Sequence, residues 1–172
     1  MIYYLKGAVY KIFEDSIVLD VNNTGYQVLV SHPLDFVEGE FVTLFTHQVI
    51  REDEEYLVGF TSEKEKAVFM SLIKVKGLGP KSAIGALSST TPQEVVNAIA
   101  SNNVAFLKKL PGIGAKAAAQ IILDLKGQLT GGSKGDPTVY DEVYDALKGL
   151  GFKGAAIDRV LATINEPVLQ SS

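Results

Sequence analysis

The sequence predicts an α+β chain of several domains. An N-terminal β-barrel of the OB type is followed by a central tandem helix-hairpin-helix domain and a small C-terminal helical module. Three observations predict this. The first sixty residues break into short β-rich runs separated by turn signals. Beyond Phe60 the apolar spacing becomes helical. Inside the helical stretch, "KVKGLGPKSA" (74–83) and "KKLPGIGAKAA" (108–118) share the pattern apolar–x–Gly–apolar–Gly–x–Lys–x–Ala, offset by 35 residues.

Residues 1–61 form the first predicted domain. The runs "IYYL", "AVYKIF", "SIVLDV", "YQVLV" and "FVTLFTHQVI" are the strands. Asn22–Asn23–Thr24–Gly25 is the clearest turn, with Gly25 expected to supply any positive φ. Five or six short strands in this length fit a small OB-type barrel, and an SH3-like barrel would produce the same pattern. "REDEEY" sets Arg51, Glu52, Asp53, Glu54 and Glu55 at a hairpin tip between Ile50 and Tyr56. Three readings stand side by side: a solvated turn, a metal site lacking a second ligand cluster, or carboxylates that repel phosphates from a wrong path.

Residues 62–129 form the second. Ser62 followed by Glu65 reads as a capping box, in which hydroxyl and carboxylate each satisfy an orphan N–H. Thr91, Pro92 and Glu94 mark another helix start. Val68, Phe69, Leu72 and Ile73, and later Ile121, Ile122 and Leu125, keep helical spacing. The hairpins interrupt it at Gly77 and Gly79, then at Gly112 and Gly114. Glycine lets the backbone turn tightly and approach a ligand. The helix that follows offers unpaired N–H groups and the positive end of its dipole, a ready anion site. Lys81 and Lys116 fall in the first turn of those helices, where a cation opposes the dipole and better serves a bound anion. Plain helix-connecting turns are the alternative, but two matched copies favour phosphate contact. Dinucleotide binding fails because no strand precedes Gly77 and G-x-G-x-x-G is incomplete in both copies. The G-x-x-x-x-G-K-[ST] phosphate loop is also missing. Two related hairpins would hold the two backbones of a duplex, by shape and charge rather than by sequence.

Residues 130–136 read as a flexible linker inside "GQLTGGSKGD". Residues 137–172 hold two short amphipathic helices broken at Gly149 and Gly151, with Tyr140, Val143, Leu147, Leu150 and Phe152 expected to pack against Ile157, Val160 and Leu161.

Composition narrows the classes. The chain has 172 residues, 47% apolar, with no cysteine, so disulfides, thiolate metal sites and thiol nucleophiles are excluded. No run approaches a membrane span, no signal peptide is expected, and a cytoplasmic location fits. The net charge of −4 hides an asymmetry: residues 1–60 carry −7, residues 61–130 carry +5 and residues 131–172 carry −2. A basic segment can attract phosphates despite an acidic whole, because salt screens distant charge. An enzyme of the helix-hairpin-helix type would need a catalytic Lys or Asp in a base pocket. The chain has no Trp, and both histidines, His32 and His47, fall in the β segment. A general duplex-binding scaffold stays open.

The order of domains, with "IREDEEYLVGF", "VKGLGPKSA" and "LPGIGAKAA", closely resembles the RuvA family, the Holliday-junction-binding subunits of the bacterial RuvAB branch-migration complex. The resemblance covers nearly the whole chain. It implies a non-catalytic homotetramer, with a face-to-face octamer as the larger assembly, holding four-way junction DNA open for recombination and repair without a cofactor. Gly77, Gly79, Lys81, Gly112, Gly114 and Lys116 would bind DNA, and Glu52 and Asp53 would be acidic pins at the junction centre. The C-terminal, UBA-like module would bind the RuvB motor, which hydrolyses ATP, through Leu147, Leu150, Phe152, Val160 and Leu161. The RuvC resolvase would act on the same junction. The second hairpin departs from the family's usual "GKKTAER": here it reads Gly114–Ala115–Lys116–Ala117–Ala118–Ala119–Gln120, without one lysine, the hydroxyl and the arginine. The chain also ends "NEPVLQSS", where the module's third helix would begin.

Overall fold

The computed structural model describes residues 1–126. The linker 130–136, the module 137–172 and its motor-contact residues Leu147, Leu150, Phe152, Val160 and Leu161 lie outside them. Five strands come first: β1 (Tyr4–Ile12), β2 (Ser16–Val21), β3 (Thr24–Leu29), β4 (Phe41–Ile50) and β5 (Glu55–Phe60). They close in the order β1-β2-β3-β5-β4, with β1 paired to β4. The one parallel pairing, Val28 with Leu57 and Leu29 with Val58, joins β3 to β5. A meander could not make this contact, so the barrel is of the OB type and the SH3-like alternative falls. Alternation fills the interior: Ile17, Leu19, Val28 and Leu44 are fully buried.

The β2–β3 turn corrects one expectation. Asn22 and Asn23 carry the positive φ values, 50° and 66°. Gly25 instead lies within β3, opposite Asp20. Asparagine tolerates the left-handed region well enough to build a two-residue hairpin turn.

Five helices follow: α1 (Glu63–Leu72), α2 (Pro80–Leu87), α3 (Pro92–Ala100), α4 (Val104–Lys108) and α5 (Ala115–Ile121). A π-helical turn, Ile122–Lys126, extends α5. The cap of α1 is half of what the sequence suggests. Ser62 accepts from the Glu65 N–H at 3.1 Å, but the Glu65 carboxylate turns away to accept from the Ser31 hydroxyl of the barrel. The reciprocal box forms at α3, where Thr91 Oγ1 accepts from the Glu94 N–H and Glu94 accepts from the Thr91 N–H at 3.0 Å. A further bond from Thr90 Oγ1 is the main cause that holds the Glu94 carboxyl below its ordinary value.

Barrel and helices share a core. Val49, Val58 and Phe60 from the barrel pack with Phe69, Leu72, Leu87 and Ile99 in one buried cluster. The Phe60 and Phe69 rings lie 4.9 Å apart, centroid to centroid. This shared packing fixes the acidic hairpin of the barrel against the first glycine hairpin.

Candidate nucleic-acid interface

The two hairpins repeat atom for atom in their backbone bonding. In the first, Lys74 N–H bonds Ser71 C=O, Val75 bonds Leu72, Leu78 bonds Val75 and Ala83 bonds Gly79. In the second, Lys109 bonds Phe106, Leu110 bonds Leu107, Ile113 bonds Leu110 and Ala118 bonds Gly114. Every donor and acceptor is displaced by the same 35 residues. The apolar positions act as anchors: Val75, Leu78 and Ala83 are buried, as are Leu110, Ile113 and Ala118. Lys74 and Lys109 share the offset too and are exposed. That pair escaped the sequence reading, although the period that exposed the glycines contains it.

The four glycines divide into two kinds. Gly77 and Gly112 have φ of +88° and +76°, a region that glycine adopts far more readily than residues with a side chain. Gly79 and Gly114 cap α2 and α5 with extended dihedrals, φ −87° and −89°, which any residue adopts. A side chain at Gly114 would meet nothing within 4 Å. One at Gly79 would first meet the Arg51 guanidinium at 4.0 Å. Internal packing therefore does not demand glycine at either cap. The N–H groups of Gly77, Gly79, Gly112 and Gly114 donate to no acceptor among the described residues.

The hairpins meet at one cleft. Lys76 and Gly77 of the first face Gly114, Lys116, Ala117 and Gln120 of the second across a space of about 550 Å³. Lys76 is a lining residue that the sequence pattern could not supply, because its counterpart at the 35-residue offset is Pro111. Its backbone N–H donates to Asp124, 3.3 Å away, and Asp124 in turn accepts from Gln120 at 2.7 Å. The first hairpin is thus tied to the end of α5.

Lys81 and Lys116 are not equivalent. Lys116 lines the cleft. Lys81 turns to the barrel, its ammonium 2.8 Å from Glu54 Oε2 and 5.1 Å from the Tyr56 ring centroid. The bond to Glu54 and that carboxylate's charge raise the Lys81 pKa above the ordinary lysine value. In the acidic loop, the Arg51 N–H bonds the Glu54 C=O at 2.8 Å, which leaves Glu52 and Asp53 exposed at the tip. No group of three or more His, Cys, Asp or Glu among the described residues could hold a metal ion. His47 lies against Phe69, its pKa lowered by burial and then by Lys66, and His32 lies beside Ser31. Neither lines the cleft.

Comparison with known proteins follows the same division of the chain. Residues 1–59 match the RuvA N-terminal domain and residues 69–126 match a SAM-like tandem helix-hairpin-helix. A Holliday junction branch migration complex subunit RuvA of Macrococcus caseolyticus is 41% identical over 91% of this chain and 86% of its own length. The chain belongs to the RuvA family. A RuvA of Limosilactobacillus reuteri is 42% identical over 91% of this chain and 86% of its own, and one of Streptococcus pyogenes is 38% identical over 95% and 89%. The family resemblance and the OB-type barrel with helix-hairpin-helix architecture read from the sequence are both borne out. No helix among the described residues is long and apolar enough to cross a membrane.

Proposed function

We propose that this RuvA-family chain is the junction-binding subunit of a branch-migration complex, with no catalytic site of its own. The observation that carries the reading is the pair of open glycine caps, Gly79 and Gly114. Their dihedrals and surroundings do not require glycine, so the missing side chains make room for a group outside the chain. Unpaired N–H groups at the start of a helix suit an anion, and two copies at a duplicated hairpin suit the phosphates of a nucleic acid. Lys116, Lys76 and Lys81 add charge without reading sequence. An enzyme reading finds less support: the cleft between the hairpins is lined by lysine, glycine, alanine and glutamine, with no aromatic to stack a flipped base.

From the family follow the finer points of the proposal. Four copies hold a Holliday junction open in the cytoplasm, Glu52 and Asp53 keep phosphates off its centre, and residues 137–172 engage RuvB, where ATP is hydrolysed. RuvC resolves the same junction. A synthetic four-way junction compared with a linear duplex of equal length by electrophoretic shift tests this. Preferential junction binding at four chains per junction, or eight for the octamer, is expected. Equal affinity for both DNAs would return the chain to a general duplex-binding scaffold.

A further inference from the structure

The two hairpins are built alike but paired differently: among the described residues, a barrel carboxylate meets the lysine of the first alone. Glu54 just before β5 and Tyr56 within it both touch Lys81. Glu55, the first residue of β5, instead accepts from Gln48 at 2.7 Å. Arg51 completes the approach beside Gly79. No carboxylate among the described residues pairs with Lys116.

We propose that Glu54 is a specificity-determining residue, an intrachain stand-in for phosphate that holds Lys81 until DNA displaces it. This rests on the phosphate role of the hairpins stated above. A carboxylate and a phosphate oxygen compete for the same ammonium, so the first hairpin engages DNA by exchange and the second by simple addition. The second hairpin is then the anchor. A ligand that presents phosphate weakly at the first hairpin leaves the Glu54–Lys81 pair intact and forgoes that contact. A ligand held firmly by both hairpins breaks the pair, and Glu54 then adds its charge to the acidic tip beside Glu52 and Asp53. Lys81 is 63% exposed and Glu54 35%, so the pair can open without rearranging the core.

The test is a double-variant cycle on junction and duplex binding with the full chain, using E54Q, K81A and both together, with E55Q as the control for charge removal at the neighbouring residue. E54Q is expected to tighten duplex binding by about two- to fivefold, the range for an exposed ion pair. E55Q should tighten it less. In the K81A background, E54Q should lose most of its effect, and this non-additivity is the signature of the pair. If E54Q tightens binding equally with and without Lys81, or no more than E55Q does, Glu54 acts as general negative charge and the inference is overturned. A different failure marks the underlying reading: if neither K81A nor K116A weakens DNA binding, the hairpins themselves do not hold phosphate.

Discussion

The lysines and carboxylates around the hairpins sort by their neighbours rather than by their place in the repeat. Lys81 and Lys116 occupy matched positions, yet among the described residues only Lys81 meets a carboxylate. The repeat was legible in the sequence because it is local. The pairing was not, because Glu54 lies 27 residues away and reaches Lys81 only through the shared core. Each lysine that contacts a phosphate should contribute about one unit to the slope of log K against log salt, evenly over DNA sequences. Lys116→Ala is therefore expected to lower that slope by about one, and an unchanged slope in a salt titration would remove Lys116 from the interface. Glu65 offers a second test. Burial, the largest cause, raises its carboxyl above the ordinary value, with the Ser31 bond opposing. A raised carboxyl binds more protons folded than unfolded, so its contribution to stability is lost as pH rises through its folded pKa and regained as pH falls. Measured by denaturant unfolding, the parent should gain on Glu65→Gln as pH is lowered from neutral into the carboxylate range. A difference that does not change with pH would count against burial of the charge.

At the scale of elements, the sequence told most where a rule is local. The end of β5 at Phe60, the start of α3 after Thr91 and both hairpins follow from spacing and caps within a few residues. It misled where a long-range partner intervened. Glu65 satisfies the capping pattern of α1, but the Ser31 hydroxyl claims its carboxylate. Gly25 satisfies the turn pattern, but the strand register takes it into β3. The intact box at α3 should therefore matter. Thr91→Ala is expected to destabilise the chain by about 1 kcal/mol, seen as a lower thermal midpoint. No change would mean that α3 is held by packing alone. The hairpin glycines need the same care. Gly77→Val would strain the loop at φ +88° whether or not DNA is bound, so its loss of binding would not separate folding from recognition.

For the whole molecule, the barrel and helices work as one support. Phe69 is fully buried between them, and Phe69→Ala is expected to cost about 3–5 kcal/mol, with both parts unfolding in one transition. Two separate transitions would show that the shared core does not couple them. The acidic tip depends on this coupling, because it places Glu52 and Asp53 on the side of the first hairpin. Glu52→Gln with Asp53→Asn is expected to raise duplex binding relative to junction binding, and a fixed ratio would reduce the loop to a solvated turn. The sequence made the domain order readable because composition changes sharply at Phe60. It could not show that the hairpins converge on one cleft, since Lys76 and Asp124 are 48 residues apart and meet through tertiary packing.

In the proposed function, backbone donors at two open helix caps hold DNA phosphate. Serine is a good helix cap, so Gly79→Ser with Gly114→Ser should leave the fold intact while filling the space a phosphate needs. The decisive measurement is four-way junction affinity of this double variant by fluorescence anisotropy, beside its thermal midpoint. An unchanged or slightly higher midpoint is expected, with affinity reduced about tenfold or more, the scale of lost hydrogen bonds to a charged group. Junction affinity equal to the parent's, at the same midpoint, would rule out phosphate contact at these two caps.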